Sequence, residues 1–180
     1  NSKKRIINAI EKLDGVLPMI MSVQSMTPEV LKNIKRDNIR LDDFIDLKHA
    51  IKSANLPTSS EIILGLPGET KSSHLDSLNQ LMLAGIENIV SYTLMLLDGS
   101  EMGLPEERKK WDMKTKFRVL QRDFAELSNG KKVIEYEECI RKTNTMSTDD
   151  FLELRIFNAV FFLLYYIELG RPLLNYSQKH

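Results

Sequence analysis

The chain is 180 residues long, with 25 basic and 25 acidic side chains and therefore no formal net charge. That length allows one domain, or one domain with an appendage, and a sizeable core; the charge balance excludes the footprint of a nucleic-acid binder and the acidic tail of a disordered chain. A hydrophobic share of 42% with 28% charged residues suits a soluble globular protein, and the single cysteine, Cys139, excludes an internal disulfide framework or a multi-cysteine metal site.

A reducing, cytoplasmic setting is the simplest expectation. No secretory signal is visible, because the apolar stretch after Lys3-Lys4-Arg5 is broken by Asn8, Glu11 and Lys12. The run "IFNAVFFLLYYI" from Ile156 to Ile167 is about a dozen residues, against roughly 20 for a bilayer span. It is expected as a core helix, and no membrane partner is expected. The chain opens at Asn in helical sequence, so it is expected to be a piece of something longer.

In chain order, residues 2–13 carry Ile6, Ile7, Ile10 and Leu13 at helical spacing, with Gly15 as a stop. "PMIMSV", residues 18–23, reads as a buried strand ending at the polar pair Gln24-Ser25. Thr27-Pro28-Glu29 starts a helix to about Lys35, with Thr as cap, Pro at the first position and the acid near the positive end of the dipole. A second helix is expected from Leu41, with Phe44, Ile45, Leu47 and Ile51 inward, ending before Leu56-Pro57. Glu61 to Leu64 is the next strand, Thr70 starts a helix that ends near Ala84-Gly85, and residues 88–97 form a third strand. Apolar strands alternating with helices at intervals of about 30 to 40 residues imply parallel βα units with right-handed crossovers.

After residue 100 the pattern changes. A polar connector with Trp111 leads to residues 113–128, where Met113, Phe117, Leu120, Phe124 and Leu127 make one stripe; an amphipathic helix closed by Asn129-Gly130 is expected. A strand over Val133–Cys139 follows, and Ser147 with Asp150 caps a last helix over 148–169 that Gly170 and Pro172 end.

The stretch "EIILGLPGET", residues 61–70, asks for a function. Gly65, Lys71 and Ser72 fit the frame of a phosphate-binding loop, but Thr70 occupies the second glycine's place and Glu69 would set a carboxylate beside a triphosphate. A purely structural turn leaves the acid and the Gln24-Ser25 pair unexplained. In a parallel barrel, functional groups gather at the carboxyl ends of the strands, where Gln24, Ser25, Gly65, Glu69 and the residues around Leu96 would meet.

Three segments in order, "SVQSMTPEVLKNIKR" (22–36), "EIILGLPGET" (61–70) and "GIENIVSYTLMLLDGSEM" (85–102), resemble the later half of a radical S-adenosylmethionine domain. More weakly, Val133 through "RKTNTMSTDDFLELRIFN" is similar to the region after the barrel in the cobalamin-binding branch of that family. The resemblance implies an α/β fold: an incomplete parallel (β/α) barrel over residues 1–104, followed by a mainly helical extension over 105–180. It implies a parent iron–sulfur (Fe–S oxidoreductase-like) enzyme in which a [4Fe–4S] cluster cleaves S-adenosylmethionine to a 5′-deoxyadenosyl radical. The cluster-binding Cys-x-x-x-Cys-x-x-Cys loop is missing here, so the chain is expected to be catalytically silent by itself, with no metal ligands and no bound cofactor. Cobalamin in the parent would bind upstream.

The same resemblance implies a cofactor-binding set of Gln24, Ser25, Ile63, Gly65, Leu66, Pro67, Gly68, Glu69 and Leu94. Gln24 and Ser25 would bond ribose or carboxylate oxygens. Ile63 to Gly65 would wall the adenine, with Gly65 making room, and backbone groups near Thr93–Leu96 would read its edge. Glu69 either holds the loop by accepting N–H bonds or touches ligand; Arg36 is either a solvated helix-end cation or a substrate contact. His49, His74 and His180 lack metal spacing and are expected on helix surfaces and at the terminus. Trp111, Tyr165 and Tyr166 are expected to pack, as are Met19, Met21 and Met26, and Cys139 is expected as a buried small hydrophobe. The partners implied are the small-molecule cofactor and the parent's N-terminal half, with self-association through an exposed strand edge. The rival reading is a non-enzymatic interaction module docking through the Phe161-Phe162 helix.

Overall fold

The computed structural model describes residues 19–38 and 57–167, with positions 5, 8, 9, 12, 16, 170, 172 and 176. Apart from positions 5, 8, 9 and 12, the helix expected over 2–13 lies outside the described residues, as do the helix expected from Leu41 to Ile51, His49, His180 and the side chains of Met19 and Tyr166. Three parallel strands form one sheet in the order β1 (Met19–Gln24), β2 (Thr58–Leu64) and β3 (Asn88–Thr93). Helix α1 (Pro28–Asn33) follows β1, and α2 (Lys71–Leu83) joins β2 to β3. The α/β fold class with a parallel sheet is therefore present.

The sheet has two unlike faces because side chains alternate along a strand. On β2, Thr58, Ser60, Ile62 and Leu64 are buried while Ser59, Glu61 and Ile63 are not. The buried face meets Leu78 and Leu81 of α2 and joins Met21, Val23 and Ile89 in one core. A second core sits at the carboxyl end of the sheet, where Leu64, Leu66 and Leu94 pack with Ile140, Phe151 and Leu154.

Beyond a short helix, α3 (Pro105–Lys110), the chain departs from expectation. Residues 113–128 do not form a helix: β4 (Lys114–Glu126) pairs antiparallel with β5 (Lys132–Lys142). The extension, expected to be mainly helical, is thus a long hairpin followed by helix. The physical reason lies in the turn. Asn129-Gly130, read as a helix stop, is a hairpin signal; Gly130 sits at φ +77°, and the Leu127 and Gly130 amides close the loop onto the Lys131 and Leu127 carbonyls. Phe117 and Val119 alternate along β4, and each lies across from a β5 residue, with Phe117 edge-on to Tyr136 at 5.5 Å.

The third strand is shorter than expected. It ends at Thr93 because Leu94–Leu96 turn to β5: the Leu96 amide donates to the Glu138 carbonyl and the Ile140 amide to the Leu94 carbonyl. Helix α4 (Thr148–Phe161) carries the expected Ser147/Asp150 capping box and passes into a π-helical turn, Phe162–Tyr166. Phe161 and Tyr165 enter the first core, and the Tyr165 hydroxyl donates to the Ile86 carbonyl. Trp111 packs as expected against the second core, its indole N–H donating to Glu107 at 2.9 Å. Among the described residues no helix is long and apolar enough to cross a membrane.

The hairpin base is held by a forked pair. Arg108 Nη1 and Nη2 donate to the two Glu138 oxygens at 2.5 and 2.6 Å. The guanidinium holds the Glu138 carboxyl below the usual carboxylate range. Its contribution is full above the unfolded carboxylate value and is lost as pH falls through the depressed folded one. Glu138→Gln is therefore expected to lower stability by about 1 kcal/mol at neutral pH, the gap closing in acid. Urea unfolding at both pH values checks this; a gap independent of pH contradicts it.

Candidate functional site

The face of the sheet turned away from the helices forms a concavity of about 510 Å³. Ser22 and Gln24 of β1, Glu61 and Ile63 of β2, and Tyr92 of β3 line it, and Thr93, Leu94, Met95, Leu97 and Met102 complete its rim. It joins an apolar wall to a polar pair, for the Ser22 hydroxyl donates to Glu61 Oε2 at 2.6 Å. Mixed walls of this kind, at the carboxyl ends of parallel strands, are where ligands bind in such folds.

The end of β1 is built unusually. The register against β2 slips between Ser22 and Gln24, leaving Val23 as an extra residue. The Ser25 amide donates to the Val23 carbonyl at 2.7 Å, closing a three-residue turn with Gln24 at φ +61°. Bulges and left-handed non-glycine residues are costly and gather at functional positions, where they re-aim a side chain. Gln24 is so aimed into the concavity. Ser25 is fully buried beneath it: its Oγ accepts from the Thr27 amide at 3.2 Å and its carbonyl accepts from Asn38 Nδ2 at 2.7 Å. Thr27, expected to cap α1 through its side chain, makes no such bond. Arg36 donates from Nη2 to the Ser22 carbonyl at 2.5 Å and so pins the end of α1 to β1.

The glycine loop lies beside this turn. Leu66-Pro67-Gly68-Glu69 has the residue pattern of a type II turn, Pro second and a positive-φ Gly (+82°) third, closed by the Glu69 amide on the Leu66 carbonyl at 3.0 Å. Gly65 stands at φ +93°, and a Cβ there would meet Phe151 at 3.1 Å and Ile140 at 3.3 Å. The room that Gly65 makes is taken by the extension. Leu66 and Pro67 are buried, and Asn33 Nδ2 donates to the Pro67 carbonyl.

Glu69 is 1% exposed and accepts the Gly65 amide at 2.7 Å, so it holds the loop. The amides of Gly65, Glu69, Thr70 and Ser73 all bond within the chain, to Glu69, Leu66, Ser73 and Thr70 respectively, and Lys71 pairs with Glu153. A phosphate cradle needs such amides turned outward. These four amides are turned inward instead.

Of the nine residues predicted from sequence, Gln24, Ile63 and Leu94 line the concavity, while Ser25, Gly65, Leu66, Pro67, Gly68 and Glu69 shape the two turns behind it. Leu94 uses its backbone in the sheet, its amide donating to the Leu64 carbonyl at 2.9 Å. Sequence reasoning missed Ser22, Glu61 and Tyr92, which strand alternation from Ile63 and Gln24 would have supplied. It also misplaced His74, which is fully buried rather than on the helix surface. The signal was there: His74, Ser77, Leu78 and Leu81 recur at helical spacing and form the inward stripe of α2. Cys139 is buried as expected, and burial pushes its thiol up.

No family model matches the chain. Over 142 residues, 78% of this chain and 20% of the relative, it is 33% identical to the cobalamin-dependent radical SAM methyltransferase TokK of Streptomyces tokunonensis. It is 30% identical over 141 residues, 78% of this chain and 20% of the relative, to the 2-(S-pantetheinyl)-carbapenam-3-carboxylate methyltransferase of Streptantibioticus cattleyicolor. A tRNA-2-methylthio-N(6)-dimethylallyladenosine synthase of Clostridium botulinum is 29% identical over 136 residues, 73% of this chain and 30% of the relative. The chain spans 20 to 30% of the length of these curated relatives. With these likenesses beside the three ordered motifs, the chain belongs to the radical S-adenosylmethionine family.

Proposed function

We propose that this chain is the C-terminal part of a radical S-adenosylmethionine iron–sulfur enzyme, supplying the adenosyl-binding side of an incomplete parallel barrel (1–104) and an extension (105–180). One observation carries the reading: the strained turn at Gln24 opens into the same concavity as Ile63 and Leu94, at the ends of three consecutive parallel strands. An adenosyl group is assigned to this cavity. Ile63 walls the base, Thr93 and Met95 face its edge, and the Gln24 amide meets ribose or carboxylate oxygens; Ser25 and the glycine loop hold those groups in place. The Ser22–Glu61 pair forms the floor.

A [4Fe–4S] cluster is a different matter. It needs three thiolates, and the one cysteine in the sequence is buried against the sheet at Met95. These residues do not fit a cluster, and the chain alone is proposed to be inactive. The cobalamin-dependent branch is the favoured parent, since the relatives of 33% and 30% identity are a cobalamin-dependent methyltransferase and a carbapenam methyltransferase. Sequencing the coding DNA upstream of Asn1 tests the reading. An open frame with a Cys-x-x-x-Cys-x-x-Cys loop is expected; a frame without one overturns it.

Self-association is proposed as well. On β1, Ile20 is exposed at the sheet edge, and Phe117, Val119, Phe124 and Tyr136 are exposed along the hairpin. Apolar surface and strand edges of this kind pair with available partners. Light scattering of the isolated chain is expected to show dimers or larger species at micromolar concentration; a monodisperse monomer would contradict this. The hairpin surface also favours the interaction-module reading, which the missing cysteine loop would support.

A further inference from the structure

We infer that His74 is a positioning residue for the glycine loop, through which helix α4 of the extension sets the shape of the site. A network of hydrogen bonds links them. The Gly65 amide donates to Glu69 Oε2 at 2.7 Å, and Glu69 Oε1 lies 3.0 Å from His74 Nδ1. His74 Nε2 lies 3.2 Å from Asn158 Nδ2, and the same Nδ2 donates to the Ser91 hydroxyl at 2.9 Å. The path runs from the end of β2 through α2 to α4 and back to β3.

Glu69 Oε2 already accepts the Gly65 amide, and an Nδ1–H of His74 given to Oε1 pairs the second oxygen. Nε2 lies within reach of both ends of the Asn158 amide, Nδ2 at 3.2 Å and Oδ1 at 3.4 Å, and of the Ser91 hydroxyl at 3.4 Å, so that side of the ring is partnered as well. Glu69 and His74 are 1% and 0% exposed, so water cannot replace a lost partner. A buried carboxylate oxygen left unpaired costs more than an ordinary hydrogen bond contributes, and Glu69 would then swing and release the Gly65 amide.

The extension grips the same loop at two more points. The Thr145 hydroxyl donates to the Glu69 carbonyl at 2.7 Å, and Phe151 and Ile140 fill the space over Gly65. An apolar side chain at position 74 would fill the volume as well as imidazole does. Only a donor at the Nδ1 position keeps Glu69 oriented, and that separates positioning from packing.

The importance of the loop to ligand binding rests on the cofactor reading above; the grip itself does not. The test uses the full 180-residue chain, labelled with ¹⁵N. The imidazole spectrum is expected to show the His74 proton on Nδ1. His74→Leu is expected to speed exchange of the Gly65 amide by about tenfold or more relative to amides in the middle of β3, and Asn158→Ala by a smaller factor. His74→Asn, whose amide nitrogen overlies Nδ1, is expected to restore slow exchange. A ring protonated on Nε2 and not on Nδ1, unchanged Gly65 exchange in His74→Leu, or His74→Asn behaving like His74→Leu would each overturn the inference. A second readout, S-adenosylmethionine affinity of the longer enzyme, is expected to fall by about tenfold in His74→Leu. Failure of the unaltered enzyme to bind would overturn the cofactor reading alone, because Gly65 exchange reads the grip without ligand.

Discussion

Gly65→Val is expected to be among the most damaging single changes in this chain, and Lys71→Ala, six residues away, among the mildest. Gly65 sits at φ +93°, where a side chain costs roughly 1–2 kcal/mol and a β-branched one more. Valine would also push its Cβ to 3.1 Å from Phe151 and 3.3 Å from Ile140, and overpacking of that kind costs about 1–3 kcal/mol. Together these should lower the midpoint of thermal unfolding by roughly 5–15 °C for a chain of this size. Lys71 makes only exposed ion pairs with Glu153 and Asp150, which solvent and salt screen. Its removal should leave the midpoint within about 2 °C. Circular dichroism on both variants decides; equal midpoints would mean that the loop tolerates a side chain and that the packing argument is wrong. A parallel titration with ATP would show no binding to lose in Lys71→Ala, since the Gly65, Glu69, Thr70 and Ser73 amides are already taken within the chain.

Phe151→Ala should cost about 3–5 kcal/mol, the range for emptying a fully buried aromatic site. Phe151 is 0% exposed in the second core, beneath Leu64 and Leu66, and the Arg141 guanidinium lies 5.8 Å above its ring. The same ring blocks a Cβ at Gly65, so the two positions should couple. Gly65→Ala ought to cost less in the Phe151→Ala background than alone, by about 1 kcal/mol, leaving the backbone penalty and the contact with Ile140. Urea unfolding of the two single variants and the double variant measures the coupling. Strict additivity would show that Phe151 does not hold the loop from behind.

Much of the fold that frames the site was legible because its signals are local. The parallel strands are short apolar runs that end in polar or glycine turns, and Pro28, Thr70 and Ser147 mark helix starts that the structure keeps. The hairpin was not legible because residues 113–128 satisfy two periods. Met113, Phe117, Leu120, Phe124 and Leu127 fit a helical stripe, whereas Phe117 and Val119 alternate as in a strand; pairing with β5, distant information, decides between them. The turn at Asn129-Gly130 served either reading.

At the proposed site, sequence pointed to these loops but not to which atoms face outward. Gln24 was picked out by its neighbours, yet the bulge at Val23 that aims it is a matter of register between strands, which a single segment does not encode. Glu69 was left between two roles, and the structure resolves the loop-holding one through Gly65 and His74. His74 illustrates the general difficulty. A histidine on an inward helical stripe reads as polar and therefore exposed, until the partner that accepts its proton is known.

The ends of β1, β2 and β3 are proposed to make one side of an adenosyl site. Photoaffinity labelling of the longer enzyme with an 8-azido analogue of S-adenosylmethionine, followed by peptide mapping, tests it most directly. Label is expected in residues 20–25, 61–69 or 92–97, displaced by S-adenosylmethionine and not by ATP. Label confined to other segments, or displaced equally by ATP, would contradict it.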